Sequence, residues 1–513
     1  MKMFDLSNLH DEDVWDLICE GYTKGVFQLE SQLGRSWAKK VRPKNINELA
    51  ALISLIRPGC LKAFTDGKSM TQHYVDRKAN IDPVTYPDES LEHILEETYG
   101  VLVYQEQSMM IAQELAGFTL KEADSLRKAI GKKKAGLMSE VKTAFLEGAE
   151  ERGIVTKEVA EEIFSWIEKS NRYAFNKSHA VSYAINAYWS AYCKFHKMVA
   201  FYVAYLNHSE RKPDPQKELK ELIMDAKIAD IEVYPPRLQH LYTNFISKED
   251  KIYFGLRHTK HVGQKECEKI EQISEDIANY TWMDVLINII YKGRINKRAA
   301  IALISIGAFN GVNNKKHREK MLYEFDSWKD LTAKEQAYIA ENYKSSDSLS
   351  EAIGNMIQDS KINSRRLTTV VDIKQMLDKP PHDLTDSVNS IAEHEEKYMG
   401  CALTCSKIDA IDANFSNSLC KDVARGTIKG KLNLIVQINT VRPYKTKRGK
   451  NPGQLMAFIS AEDGSGVLDS ITVFPECYEK YRDLLIEGNT VFIQGETSKK
   501  ENTSVIINKV SQV

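Results

Sequence analysis

The sequence predicts a multidomain protein with a mainly α N-terminal part, a tandem helix-hairpin-helix region and a C-terminal all-β barrel of OB type. Three observations predict it. The chain has 513 residues, too many for one core, and about three or four domains are expected at that length. Two apolar-Gly turns, at Val262-Gly263 and Ile306-Gly307, each adjoin a predicted helix. The hydrophobic period then changes to strand-like alternation in the last part of the chain, beginning with Leu432, Leu434, Val436 and Ile438.

Composition narrows the class. With 42% hydrophobic and 27% charged residues the chain reads as an ordinary soluble globular protein. A net charge of −1 announces no nucleic-acid partner, so any such binding must come from local patches. The start, Met1-Lys2-Met3-Phe4-Asp5, lacks an apolar signal region, and no run approaches the ~18 apolar residues of a membrane span. A cytoplasmic protein without a membrane partner is expected. The eight Cys are scattered, and Cys401 and Cys405 have no second pair or His near enough to complete a zinc site. They read as reduced thiols, and their CxxxC spacing as chance.

From the N-terminus, Val26-Phe27-Gln28-Leu29-Glu30-Ser31 is a compact block, and Ala50 to Ile56 is an apolar helix stopped by Arg57-Pro58-Gly59. Pro holds the residue before it extended, so Arg57 stands at a helix exit, either on the surface or aimed into a groove. Leu91–Thr98 reads as helix, Val101–Gln107 as a short strand and Met109–Leu115 as helix. Thr119-Leu120-Lys121-Glu122 fits a capping box. The helix it opens buries Leu120, Ala123, Leu126 and Ile130 and is expected to stop at Gly131.

That helix ends in Arg127-Lys128-Ala129-Ile130-Gly131-Lys132-Lys133-Lys134, five cations in eight residues. Lys128 and Lys132 lie four apart and Arg127 and Lys134 seven apart, so they form cationic rows away from the buried stripe. Asp124 can pair with Arg127 or Lys128. A helix dipole alone does not need so much charge, and a polyanion such as a nucleotide triphosphate fits it. The second feature is Phe175-Asn176-Lys177-Ser178-His179-Ala180, where Ser178 or Asn176 caps a helix that reads as apolar over most of its circumference. His179, Tyr183, Asn186 and Ser190 interrupt it in a row that needs protein partners or a ligand.

Ser209–Gln216 reads as a linker. His261-Val262-Gly263 opens a helix Gln264–Ile273, and Ile304–Phe309 follows a helix Asn296–Leu303. Two such hairpins, centred on Gly263 and Gly307, expose backbone N–H groups that can hold duplex phosphates without reading sequence. Residues 321–395 read as a polar connector of helical fragments. In the last part, five strands with a helix at Glu476–Leu485 fit an OB barrel. Its first long loop carries Tyr444, Lys445, Lys447, Arg448 and Lys450, charge for phosphate beside a ring for stacking on single strands.

In this order the segments resemble the bacterial DNA polymerase III alpha subunit family, the family C polymerases. The matching blocks include Gly25 to Ser31, Arg57-Pro58-Gly59, Tyr99-Gly100 running into Tyr104-Gln105-Glu106-Gln107, Ala123 to Lys133, and Phe175 to Ala180. Tyr253-Phe254-Gly255-Leu256, Gly307-Ala308-Phe309 and Glu393-His394-Glu395 follow. The resemblance implies a fingers domain over 1–210, a duplex- and clamp-binding helix-hairpin-helix domain over 211–320, the connector over 321–395 and an OB domain over 396–513. It also implies that Arg127, Lys128, Lys132 and Lys177 hold dNTP phosphate oxygens while His179 and Tyr183 face the nascent base pair. Arg57 and Gln107 are expected in the same pocket.

Cys60, Lys128 and Asn171-Arg172-Tyr173-Ala174 depart from the family pattern, and Lys128 loses the bidentate fork of Arg. The family's palm, whose three Asp bind two Mg²⁺, has no counterpart in the sequence, and neither does its PHP domain. The sequence therefore points to one half of a split polymerase, inactive alone, whose partner brings the palm and the Mg²⁺. Met1 followed directly by finger sequence argues against trans-splicing. Primer–template DNA and a sliding clamp are the other expected partners. A clamp-binding peptide is expected within 345–395, where Gln375-Met376-Leu377 lacks the usual aromatic. The alternative is a non-catalytic DNA- or clamp-binding accessory module, which has no need to keep the finger cations together.

Overall fold

A computed structural model describes residues 8–132, 135–171, 173–273, 276–411, 416–446, 452–498 and 503–513, with backbone alone for 130–132, 135–137 and 171. The chain forms two compact units, Met1–Met198 and Val199–Val513.

The first unit has two hydrophobic cores. Leu49, Leu52 and Leu55 of helix Ile46–Leu55 pack with Ile18, Trp37 and Tyr74, and with Ala180, Ala184, Ala187 and Ala191 of helix Lys177–His196. Alanine at those four positions lets the two helices approach closely, since close packing rewards small facing side chains. Helices Gln105–Ala116, Leu120–Lys132, Ala135–Arg152 and Lys157–Asn171 build the other core around Leu115, Leu126, Phe145 and Phe164. The segment 101–104 is the seam, because Leu102 enters this second core while Val101, Val103 and Tyr104 enter the first.

The strand expected over Val101–Gln107 is a single parallel bridge, Tyr104 to Phe175. The helix starts at Gln105, because the Gln107 side chain reaches back to the N–H groups of Val103 and Tyr104 and closes the first turn. The capping box at Thr119 and Glu122 forms as read, with Glu122 Oε2 accepting from the Thr119 N–H at 2.8 Å. Its helix continues past Gly131 to Lys132. Leu120 is 70% exposed, outside the expected stripe.

Helix Lys177–His196 corrects a further expectation. It is buried along Ala180, Ala184, Ala187, Tyr188, Ala191 and Lys194, not over most of its circumference. The row of His179, Tyr183, Asn186 and Ser190 lies on its open side, so solvent and the helix's own carbonyls satisfy it. Asn186 and Ser190 bond the carbonyls of Ser182 and Asn186.

In the second unit the linker read at 209–216 ends in a cap, Asp214 Oδ1 accepting from the Lys217 N–H at 3.1 Å and opening helix Pro215–Ile228. Strands Val233–Tyr234, Ile246–Lys248 and Lys251–Tyr253 make a small sheet with the last strand central. Helices Gln264–Glu271 and Lys297–Ser305 flank a helix that begins at Trp282 and winds as a π-helix over Val285–Lys292. The polar connector is folded as helices Arg318–Asp330, Ala333–Asn342, Leu349–Gln358, Leu367–Asp378 and Val388–Met399. Gln375-Met376-Leu377 lies within the fourth of them. Arg318 and Glu395, on the first and last, meet in the interior at 2.9 Å with side chains 4% and 0% exposed.

Five strands then close a barrel: Lys431–Lys445, Leu455–Glu462, Val467–Val473, Thr490–Thr497 and Val505–Gln512. The first pairs with the second and the fourth, the third pairs with the second and fifth, and the fifth pairs in parallel with the third. Helix Pro475–Tyr481 sits between the third and fourth strands. This is OB topology. Among the described residues no helix is long and apolar enough to cross a membrane.

Candidate nucleotide and nucleic-acid site

The start of helix Lys177–His196 is assembled by contacts far apart in sequence. The Gln105 N–H donates to the Phe175 carbonyl at 2.9 Å, and the Phe175 N–H to the Val103 carbonyl at 3.0 Å. Glu106 then fastens the helix start, its Oε1 accepting from Asn176 Nδ2 at 2.8 Å and its Oε2 from the Lys177 N–H at 2.9 Å. Asn176, not Ser178, is the cap: its Oδ1 accepts from the His179 N–H at 3.0 Å and from the Ser178 hydroxyl at 2.6 Å. The same oxygen lies 2.6 Å from His179 Nδ1. An amide oxygen only accepts, so Nδ1 donates to it.

Around this helix end sit four of the first unit's candidate residues, Arg57, Lys177, His179 and Tyr183. Arg57 is extended at φ −106°, ψ 150°, as Pro58 demands. Its guanidinium lies 3.6 Å from the centre of the Phe175 ring, and burial holds its pKa below the usual value. Gly59 is needed beside it, since a Cβ there would come within 2.1 Å of the Tyr173 ring. Burial pushes the Cys60 thiol up to about 11, so it is an inert packing group. Tyr183 meets Phe27 edge to face at 5.3 Å. Lys177 Nζ pairs with Glu97 at 2.7 Å.

Arg127 and Lys128 stand on the other core. Asp124 holds both, Arg127 Nη2 at 2.7 Å and Lys128 Nζ at 2.6 Å. Those hydrogen bonds, from Lys128 first and then Arg127, draw its carboxyl below the ordinary carboxylate range. Lys132 lies on the same helix, its side chain outside the described residues. Among the described residues no ion pair or hydrogen bond joins Arg127 and Lys128 to Lys177 and His179. The two groups share one unit, and the seam at 101–104 lies between their cores.

Gln107 does not belong with them. It is 4% exposed, its oxygen accepts from Val103 and Tyr104, and its nitrogen donates to the Ile94 carbonyl and the Thr98 hydroxyl. All four of its hydrogen-bonding positions are used, which leaves none for a ligand.

In the second unit Gly263 opens helix Gln264–Glu271 as its N-cap, behind a left-handed His261 at φ 70°. The turn matching it is Gly293-Arg294-Ile295-Asn296, before helix Lys297–Ser305, where Asn296 Oδ1 caps the Ala299 N–H. A Cβ at Gly293 would strike the Ile289 carbonyl at 2.3 Å. Gly307 has a different task from the one expected. It ends helix Lys297–Ser305 at φ 71°, with the Ala308 N–H donating back to the Leu303 carbonyl. A Cβ there would lie 2.7 Å from Arg318 Nε. The cations beside the two hairpins, Lys265, Lys297 and Arg298, are exposed. The reading by glycines missed them, although each follows its turn within a few residues.

On the barrel, Tyr444 and Lys445 are exposed, while Lys447, Arg448 and Lys450 lie outside the described residues. The strand alternation points Leu432 to Ile438 inward, and a register shift between Ile438 and Thr440 turns Arg442 and Tyr444 outward. Phe458, which by the sequence alternates with its neighbours in step with Met456 and so reads as one inward row, is 43% exposed, pairs across strands with Arg442, and lies 6.1 Å from the Tyr444 ring. Two rings and the Arg442 side chain therefore share the outer face of one strand pair.

Tandem hairpins and an OB barrel, joined in one chain to a helical unit that bears a local cluster of cations, are the parts of a nucleic-acid-handling protein. Residues 2–153 match the family model described as the bacterial DNA polymerase III alpha subunit finger domain, and residues 230–321 match the helix-hairpin-helix motif. The chain is similar to DNA polymerase III subunit alpha of Aquifex aeolicus, 31% identical over 98% of this chain and 39% of that protein. It is 30% identical to the subunit of Borreliella burgdorferi over 99% of this chain and 42% of that protein. With that of Staphylococcus aureus (strain MSSA476) it shares 28% over 98% and 42%. The chain belongs to the DNA polymerase III alpha subunit family and spans about two-fifths of the curated relatives it matches.

Proposed function

We propose that this chain is the nucleotide- and DNA-binding part of a replicative DNA polymerase, gripping the triphosphate of the incoming dNTP and the primer–template during template-directed synthesis. The observation that carries the reading is the gathering of Arg57, Phe175, Lys177, His179 and Tyr183 around one helix start, in a chain similar to alpha subunits over nearly all its length. In this reading Arg127, Lys128, Lys132 and Lys177 take phosphate oxygens, where fixed positive charge stabilises a transferring phosphoryl group. His179 and Tyr183 face the nascent base pair. The two hairpins hold duplex backbone with Lys265, Lys297 and Arg298, and the barrel stacks template bases on Tyr444 and Phe458. A sliding clamp is the further partner.

Among the described residues no group of three or more His, Cys, Asp or Glu side chains is arranged to hold a metal ion. In this reading the Mg²⁺-binding carboxylates belong to a palm-bearing polypeptide that associates with this chain. When bound there, the metal supplies a Lewis acid at the phosphoryl group. The test is to mix the chain with that polypeptide and follow primer extension. Arg127→Ala combined with Lys132→Ala is expected to lower the rate about a hundredfold. Equal extension by wild type and variant overturns the finger assignment, and failure of the two polypeptides to associate overturns the assignment of the carboxylates.

A further inference from the structure

A separate site lies in the Val199–Val513 unit. The end of helix Pro215–Ile228, the strand Val233–Tyr234, the Leu403-Thr404 loop and two segments beside the barrel enclose a cleft of about 700 Å³. That is within the range of small-molecule pockets and roomy enough for a mononucleotide.

Its charges do not cancel locally. Of the two lining carboxylates, Asp230 is engaged by Arg425 at 2.6 Å and Lys421 at 3.6 Å, and Glu232 accepts from the Tyr234 hydroxyl. Arg237 and Lys227, also in the lining, have no carboxylate within ion-pair distance among the described residues. Lys227 Nζ reaches only the Gly464 carbonyl, at 3.2 Å. Arg237 Nη1 donates to the carbonyls of Pro236, Ile306 and Gly307, and its Nη2 to Thr404 Oγ1 at 3.0 Å. Burial, and then the charge of Arg318, push Arg237 down to about 10. The acceptors bonded to its guanidinium are all neutral, and the opposite charge that acts on it is that of Glu395, which Arg318 already holds.

Tyr234 and His240 give the lining its aromatic groups. Tyr234 stacks on Tyr253 at 5.5 Å, and the His240 ring lies 4.4 Å from that of Tyr253. Burial, and then Lys248, hold the His240 pKa below its usual value, so its ring is a neutral face near pH 7.

We propose that this cleft binds a nucleotide 5′-phosphate, the phosphate against Arg237 and Lys227 and the base along Tyr234 and His240. Planar guanidinium donors suit phosphate oxygens, and a neutral aromatic wall suits any base. A bare inorganic anion would use the first half of the site and leave the second empty. The site is distinct from the finger cations, which stand in the other unit.

Hydrogen exchange on the full chain tests it, with adenosine 5′-monophosphate, a short 5′-phosphorylated oligodeoxynucleotide and inorganic phosphate as separate probes. Added protection is expected at 227–240 and 403–404. Protection by the mononucleotide supports a free nucleotide as ligand, and protection by the oligonucleotide alone supports a strand end. Lys227→Met with Lys421→Met is expected to weaken that protection about tenfold or more, the worth of a charge-assisted hydrogen bond. Arg237 is left intact because its Nη1 holds three carbonyls. Tyr234→Leu is expected to abolish the preference for adenosine monophosphate over phosphate. Arg127→Ala with Lys177→Ala is expected to leave protection here unchanged, which separates this site from the finger reading. No protection by either nucleotide probe, equal protection by inorganic phosphate, or protection untouched in a folded Lys227→Met/Lys421→Met variant would overturn the proposal.

Discussion

Replacing Glu395 by Ala should unfasten the interior of the second unit. The carboxylate is fully buried and collects four donors. Arg318 Nη2 lies at 2.9 Å, Thr404 Oγ1 at 2.5 Å, and the N–H groups of Leu403 and Thr404 at 2.7 and 2.8 Å. Removing it leaves a guanidinium that is 4% exposed without its counter-ion, together with two backbone donors. Breaking a buried pair from one side costs about 3–5 kcal/mol, a large share of the roughly 5–15 kcal/mol that holds a typical domain. The assay is urea unfolding followed by hydrogen exchange in peptides of helix Arg318–Asp330, because tryptophans stand in both units and their fluorescence would mix two transitions. The double variant Arg318→Met/Glu395→Leu should recover the part of the loss that comes from the unpaired guanidinium, since a buried pair exchanged for apolar groups is often neutral. It should not recover all of it, because the Leu403 and Thr404 N–H groups stay unpaired at about 1–3 kcal/mol each. A loss below about 1 kcal/mol for Glu395→Ala, the worth of a solvated surface pair, would refute the reasoning.

Gly307→Ala and Gly263→Ala, at the two hairpins the sequence treats alike, should behave oppositely. The first meets both a left-handed φ of 71° and Arg318 at 2.7 Å and should cost about 2–4 kcal/mol in thermal unfolding. The second has nothing nearer than Glu266 at 3.9 Å and should change stability by less than about 0.5 kcal/mol. His258, held down to about 4 by burial and then by Arg257, makes the second unit sensitive to acid. A depressed folded-state pKa contributes stability that is present above the unfolded value of about 6.5 and is lost as pH falls toward 4, here up to about 3 kcal/mol. Unfolding midpoints measured from pH 7 to 4.5 should show that slope, and His258→Phe should flatten it. Tyr444→Ala with Phe458→Ala should weaken single-strand binding by about 1–3 kcal/mol per stacked base with little change in salt slope, while Lys445→Ala should reduce the slope, as titrations at several salt concentrations would show.

Features written in local chemistry were legible in the sequence. The Thr119–Glu122 box, the Asn176 cap, the extended Arg57 before Pro58 and the five-strand barrel each follow from a few neighbouring residues. What stayed hidden depends on partners far along the chain. Glu106 reaches Asn176 across 70 residues, and nothing in the spacing of Tyr104-Gln105-Glu106-Gln107 tells which of its polar residues looks inward and which fastens the neighbouring helix. Gln107 was the natural guess and is the buried one. Phe458 was misassigned because its strand turns Ala457, Ile459 and Ala461 inward, and alternation counted from Met456 takes the opposite phase. The row from His179 to Ser190 was overvalued for a related reason. Alanine counts as apolar in a pattern, yet four alanines in line make a narrow seam against one helix and leave the other side open.

The contrast between two kinds of carboxylate gives the finger unit a physical logic on the proposed reading. Asp124 with Arg127 and Lys128, and Glu97 with Lys177, are pairs whose side chains are all about a third or more exposed. Solvated pairs of this kind hold their charges weakly, so a triphosphate, with several charges and bidentate acceptors, can take these cations from their acids at little cost. Glu106 is of the other kind. Its two bonds hold the backbone and cap of the helix start, and losing it would move His179 with the helix. A site built this way keeps its cations compensated while empty and its base-facing helix fixed throughout. Charge is thus exchangeable where the ligand arrives and geometry is not exchangeable where the base pair would be judged.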